Sequence, residues 1–133
     1  MILVDSDVLI AHLRGMSEAT KWLLDVRSSV GPLHISVVTV TEITGGMRAH
    51  EKRQVWRLLG SLRVEDVNEV VARRAGEFTR RFRASHGAIG LGDYLIAATA
   101  DVRGYELATL NVRHFPMFTG LRAPFRIGGG GDK

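Results

Sequence analysis

The sequence contains no cysteine. That absence excludes a disulfide scaffold, a thiolate zinc site and a cysteine nucleophile. Any bound metal must be held by oxygen or imidazole. Lysine is also scarce: Lys21, Lys52 and Lys133 are outnumbered by 15 arginines among 18 basic residues. No apolar run approaches the roughly 20 residues needed to cross a bilayer. The opening MILVDSDVLI reaches an acid at Asp5 with no basic stretch before it. That argues against a signal peptide and for a soluble, cytoplasmic protein.

What remains is ordinary globular material. The 133 residues are 45% hydrophobic and 24% charged, enough for one domain with a real core. The net charge is +4, and the basic residues crowd between Arg48 and Arg83. Guanidinium groups suit phosphate, so the bias is compatible with a nucleic-acid partner. Solvated helix faces explain it equally well on charge alone.

The chain reads as strands alternating with helices. Met1–Val4 is a short apolar run, and Val8–Leu13 suits a first helix. Ser17 is placed to cap a second helix through about Val26. Gly31-Pro32 breaks the chain, and Leu33–Val40 reads as a buried strand followed by a helix from Glu42 to the Arg48–His50 region. Glu51–Leu62 and Asn68–Ala84 are amphipathic helices. Their inner stripes are Val55, Leu58, Leu59 and Leu62, then Val70, Val71, Ala75, Phe78 and Phe82. Val64 suits a short strand between them. Asp93–Arg103 is a nearly all-apolar helix that Gly104 stops. Glu106–Leu110 and Leu121–Ile127 read as further strands. Residues 1–127 form one domain, and 128–133 are a Gly-rich tail. The alternation implies an α/β fold with a mostly parallel sheet and helices on both faces.

In such sheets the ligand site lies beyond the carboxyl ends of the strands. Asp5 ends the first apolar run, and Glu42 follows ISVVTVT. Asp93 opens the buried helix, and Asn111 follows ELATL. Carboxylates gathered in one crevice repel one another unless a cation neutralises them. A few carboxylates with water and phosphate suffice for Mg²⁺ or Mn²⁺. Each acid singly also fits a structural role: Asp93 and Asp7 as helix caps, Thr39 with Glu42 as a capping box, Asp5 at a strand-to-helix turn. Asp101 lies roughly 12 Å along the helix from Asp93 and cannot share its ion. Asp7 lies near enough to Asp5 to line the crevice. The five histidines show no ligand spacing, and His86 and His114 read as loop residues that come no closer than the edge of the site. Trp22 and Trp56 suit the core.

These segments resemble the PIN-domain family, in particular its VapC-type ribonuclease toxins of bacterial toxin–antitoxin modules. MILVDSDVLIAHLRG, SVVTVTEITGG, LGDYLIAATADVRG and TLNVRHF follow one another in the family's order from Met1 to about Phe125. The resemblance implies a three-layer α/β/α nuclease domain. It carries Asp5, Glu42 and Asp93 over as metal-binding acids, with Asn111 where many members have a fourth aspartate. Ser6 and Thr109 match small hydroxyl residues that support the acids, whereas Asp7 replaces the expected Ser or Asn. It further implies a Mg²⁺- or Mn²⁺-dependent endoribonuclease that leaves a 5′-phosphate and a 3′-hydroxyl, a homodimer, and a cognate VapB-like antitoxin. Arg80, Arg81 and Arg83 are the expected RNA contacts.

Two rivals differ in what they leave unexplained. A magnesium-binding receiver domain needs a lysine ending its fifth strand, and none stands in an equivalent place here. A non-catalytic nucleic-acid-binding module accounts for the arginines but not for acids that would repel phosphate.

Overall fold

The computed structural model describes residues 1–127; the Gly-rich tail at 128–133 lies outside the described residues. The chain runs β1 (Ile2–Val4), α1 (Ser6–Leu13), α2 (Ser17–Val30), β2 (His34–Ser36) and α3 (Val37–Gly46). A 3₁₀ turn (Ala49–Glu51) leads into α4 (Lys52–Gly60), β3 (Arg63–Glu65), α5 (Glu69–Phe82) and α6 (Leu91–Arg103). β4 (Glu106–Ala108) and a second 3₁₀ turn (Val112–His114) follow.

All pairings in the sheet are parallel, in the order β3-β2-β1-β4. The chain moves outward from β1 through β2 to β3, then returns to place β4 on the other side of β1. The direction therefore reverses between β1 and β4, and a crevice opens beyond their carboxyl ends. Leu3 pairs with Leu107 and Val4 with Ala108, and the Asp5 N–H still reaches Ala108 O at 2.9 Å.

Strand alternation divides the core into two layers. Leu3 and Leu107 pack with Val71, Ala75, Phe78 and Ile96, beneath α5 and α6. Val4 and Ile35 face the other way, onto Val8, Leu9, Leu23, Ile43 and Val55, beneath α1 to α4. The result is the expected α/β/α sandwich. Gly104 closes α6 in the left-handed region at φ 70°, where glycine has no Cβ to clash.

Several local expectations are corrected. Leu33–Val40 is not one strand: only His34–Ser36 is extended, and α3 begins at Val37. The Ser36 hydroxyl accepts from the Val38 N–H at 3.0 Å and caps the helix. A run of β-branched residues thus enters a helix against its propensity, because Thr39 and Ile43 are buried there. Glu42 consequently sits within α3 and not at a strand end, and Thr39 and Glu42 form no capping box. β4 stops at Ala108, so Asn111 caps a 3₁₀ turn and does not end a strand. Residues 121–127 form no strand; Phe125 packs against Trp22, with ring centroids 6.3 Å apart.

Met16, not Ser17, occupies the N-cap of α2. Asp93 lies in the first turn of α6, whose N-cap is Gly90. Val70 is exposed and does not join the α5 stripe, and Trp56 is half-exposed, because the neighbouring Val55 takes the buried side of α4.

Candidate active site

The crevice between β1 and β4 gathers acids from separate elements. Asp5 follows β1 and caps α1, its Oδ1 accepting from the Ser6 N–H at 2.8 Å. It is 5% exposed. Its Oδ2 accepts from the Thr109 hydroxyl at 2.8 Å. Thr109 is fully buried and joins the two strand ends. The Asn111 N–H donates to its oxygen at 3.0 Å, and Asp7 Oδ2 lies 3.2 Å from the same oxygen. One hydroxyl has one hydrogen, and the shorter distance favours Asp5. Asp7 Oδ2 then relies on the Leu110 N–H at 3.0 Å. Asp7 Oδ1 is buried without a hydrogen-bond partner.

Glu42 comes from α3 and Asp93 from α6. The two helices approach closely at Gly92, where a Cβ would stand 3.2 Å from Glu42 Oε2. Glycine at 92 therefore lets the Glu42 carboxylate lie against the start of α6. Asp93 Oδ2 accepts from the Gly90 N–H at 3.4 Å and lies 2.8 Å from His114 Nδ1. By sequence His114 falls in a loop near the site and is given no role there. It reaches Asp93 because the second 3₁₀ turn folds back over the start of α6, a relation that no linear spacing reveals.

Electrostatics tie these groups together. Burial raises the Asp5 carboxyl above its ordinary range, and the charge of Asp93 adds to that, while Thr109 and Ser6 pull it down. Burial raises Asp7 to about 6, with the charge of Asp5 contributing. Burial likewise raises Glu42; the Ser6 hydroxyl opposes this, and the charges of Asp5 and Asp93 reinforce it. Three carboxylates thus share one field, and Asp7 borders it. Among the described residues no three His, Asp or Glu side chains are already placed to hold a metal ion together. The donor set nevertheless suits a hard divalent cation: all its ligating atoms are oxygens, and the orphaned Asp7 Oδ1 adds a further acceptor.

The structure thus brings Asp5, Glu42, Asp93, Ser6, Asp7 and Thr109 together. Asn111 contributes its backbone N–H, but it is exposed and its side chain makes no hydrogen bond among the described residues. Asp101 is remote from the site, paired with Arg74 at 2.7 Å. Arg103, at the end of α6, donates to Asp66 O just before α5 at 3.0 Å, and residues 83–90 join the other ends of the two helices, so they run antiparallel and Arg80, Arg81 and Arg83 lie at the α5 end nearest Asp93.

A parallel sheet of this order, with carboxylates meeting at the reversal between β1 and β4, defines an α/β domain with an acidic crevice where such folds bind their ligands. The chain belongs to the PIN domain family, whose profile matches residues 2–116. It is 64% identical to Ribonuclease VapC10 of Mycobacterium tuberculosis, over 97% of this chain and 96% of that protein. It is 37% identical to Ribonuclease VapC19 of the same organism, over 94% of this chain and all of that one. Among solved structures it resembles a toxin–antitoxin complex from Klebsiella pneumoniae, with a TM-score of 0.79 and 25% identity, over 96% of this chain and 100% of that chain. Among the described residues no helix is long and apolar enough to cross a membrane.

Proposed function

We infer that this chain is an endoribonuclease toxin of a toxin–antitoxin pair, and that it hydrolyses RNA phosphodiester bonds with the help of Mg²⁺ or Mn²⁺. The observation that carries this reading is the convergence of Asp5, Glu42 and Asp93 from three elements onto one crevice, each close enough to feel another's charge. The ribonuclease relatives support it, as do the toxin–antitoxin complexes among the structural neighbours.

In this reading Asp5, Glu42 and Asp93 hold the cation. Thr109 and Ser6 fix the carboxylates through hydrogen bonds, His114 orients Asp93, and Asp7 borders the site. A divalent cation so placed lowers the pKa of water and offsets charge on the phosphate. Asn111 stands in place of a fourth acid and adds no charge. Arg80, Arg81 and Arg83 contact the RNA, and their charge gives salt-dependent affinity. Residues 1–127 act as one nuclease domain in the cytoplasm, where two copies pair and a VapB-like antitoxin restrains them.

The receiver-like alternative has no lysine at the β4 end, where Thr109, Leu110 and Asn111 stand. The test against a non-catalytic RNA-binding module is direct. Purified protein mixed with total bacterial RNA is expected to release discrete fragments in Mg²⁺ or Mn²⁺ and none in excess chelator. RNA binding without cleavage in either cation would overturn the enzyme reading.

A further inference from the structure

The arginines of α5 fall into two groups. Arg73 pairs with Glu69 at 2.6 Å, and Arg74 pairs with Glu77 at 2.8 Å and Asp101 at 2.7 Å. Arg80, Arg81 and Arg83, roughly two to three turns later, make no ion pair among the described residues. Of these, Arg81 has a different kind of support. Its guanidinium carbon lies 5.0 Å from the centroid of the Phe82 ring, within the range of a cation–π contact. His86 meets the same ring edge-on, with centroids 5.7 Å apart and planes at 82°. Ser85 Oγ lies 2.8 Å from His86 Nδ1 and steadies the imidazole. Phe82 itself is anchored by packing against the core beneath α5 and α6. An exposed guanidinium is thus held over an aromatic ring that the fold keeps in place.

Residues 83–90 join the end of α5 to the start of α6, so Phe82 and Asp93 lie at the same end of the helix pair. Packed helix axes lie about 8–10 Å apart, a reach of one or two nucleotides from the crevice.

We propose that Arg81, backed by Phe82 and His86, forms a stacking subsite for an unpaired nucleobase flanking the scissile phosphate. The proposal rests on the ribonuclease reading above and adds to it a base contact beside the cut. A base inside a duplex has both faces covered by its neighbours, so only an unstacked base can lie on an arginine plane. Arg80 and Arg83 then serve the flanking phosphates, where charge matters more than planarity.

The test uses the full-length protein in chelator, so that RNA is bound and not cut, with a ten-nucleotide single-stranded RNA carrying 2-aminopurine. Arg81→Lys keeps the charge and removes the plane. It is expected to weaken binding roughly 5- to 30-fold, as loss of one stacked base does, to abolish the change in 2-aminopurine fluorescence, and to leave the salt slope unchanged. Phe82→Leu keeps the apolar contact with the core and is expected to match Arg81→Lys, with a thermal melt confirming the fold. A blunt-ended RNA duplex is expected to bind parent and Arg81→Lys alike. If Arg81→Lys binds the single strand as the parent does, with the same fluorescence change, the subsite is overturned while RNA cleavage by the parent still stands. If the parent neither cuts nor binds any RNA, the ribonuclease reading falls first and the subsite with it.

Discussion

Asp5→Asn is expected to abolish RNA cleavage while leaving the protein folded. The substitution separates structure from chemistry because it preserves nearly all of the structural role. Asn retains an oxygen to accept from the Ser6 N–H and cap α1. Its amide nitrogen would face Thr109, whose hydroxyl can turn to accept it and still receive the Asn111 N–H, since a hydroxyl has two lone pairs. The charge does not survive. Burial already disfavours ionised Asp5, so removing that charge should leave the melting temperature in chelator at or above the parent's. A cation would lose a formal negative charge among its ligands. Activity is expected to fall by about 10²–10³-fold or more, the scale for losing a main electrostatic contributor. A folded Asp5→Asn protein cutting RNA at the parent's rate would remove Asp5 from the chemistry.

Thr109→Val should be the most destabilising of the conservative changes at the site. Valine has nearly the same shape, so no cavity forms and the loss is one of polarity. The buried Asp5 Oδ2 loses its donor and the Asn111 N–H loses its acceptor. Each group left unpaired costs about 1–3 kcal/mol. Together they amount to about 2–6 kcal/mol, or roughly 7–20 °C in the melting temperature of a domain this size. Thr109→Ser keeps the hydroxyl and should recover most of the loss. A Val variant melting with the parent would mean that the Thr109 hydroxyl is not the joint between the two strand ends.

The sequence makes the sheet plan legible where side-chain pattern and backbone preference agree. Met1–Val4 ends in an acid, Gly104 stops a long apolar helix, and Val71, Ala75 and Phe78 mark the inner face of α5. It misleads at Val37–Thr41, where β-branched residues suggest a strand and the Ser36 cap with buried Thr39 imposes a helix. Glu42 therefore reaches the crevice from a helix, and its carboxylate lies against Gly92, where a Cβ would crowd it at 3.2 Å. Asp5 and Asp93 are readable as site candidates because each adjoins an apolar segment that the sheet must bury. The contact between His114 and Asp93 is not readable, because it depends on how the 3₁₀ turn after β4 lies across α6. Neither is the burial of Asp7, whose partner Leu110 is 103 positions away.

The central claim, that the clustered acids promote direct attack of water on an RNA phosphodiester, is tested most directly by the chemistry of the cut ends. Cleavage in ¹⁸O-labelled water with Mg²⁺ or Mn²⁺, followed by mass spectrometry of the fragments, reads this in one step. The account requires a 3′-hydroxyl on one fragment and a 5′-phosphate carrying a single ¹⁸O on the other, with both products lost in chelator. Fragments ending in a 2′,3′-cyclic phosphate and a 5′-hydroxyl would show that the ribose hydroxyl is the nucleophile, and would contradict it.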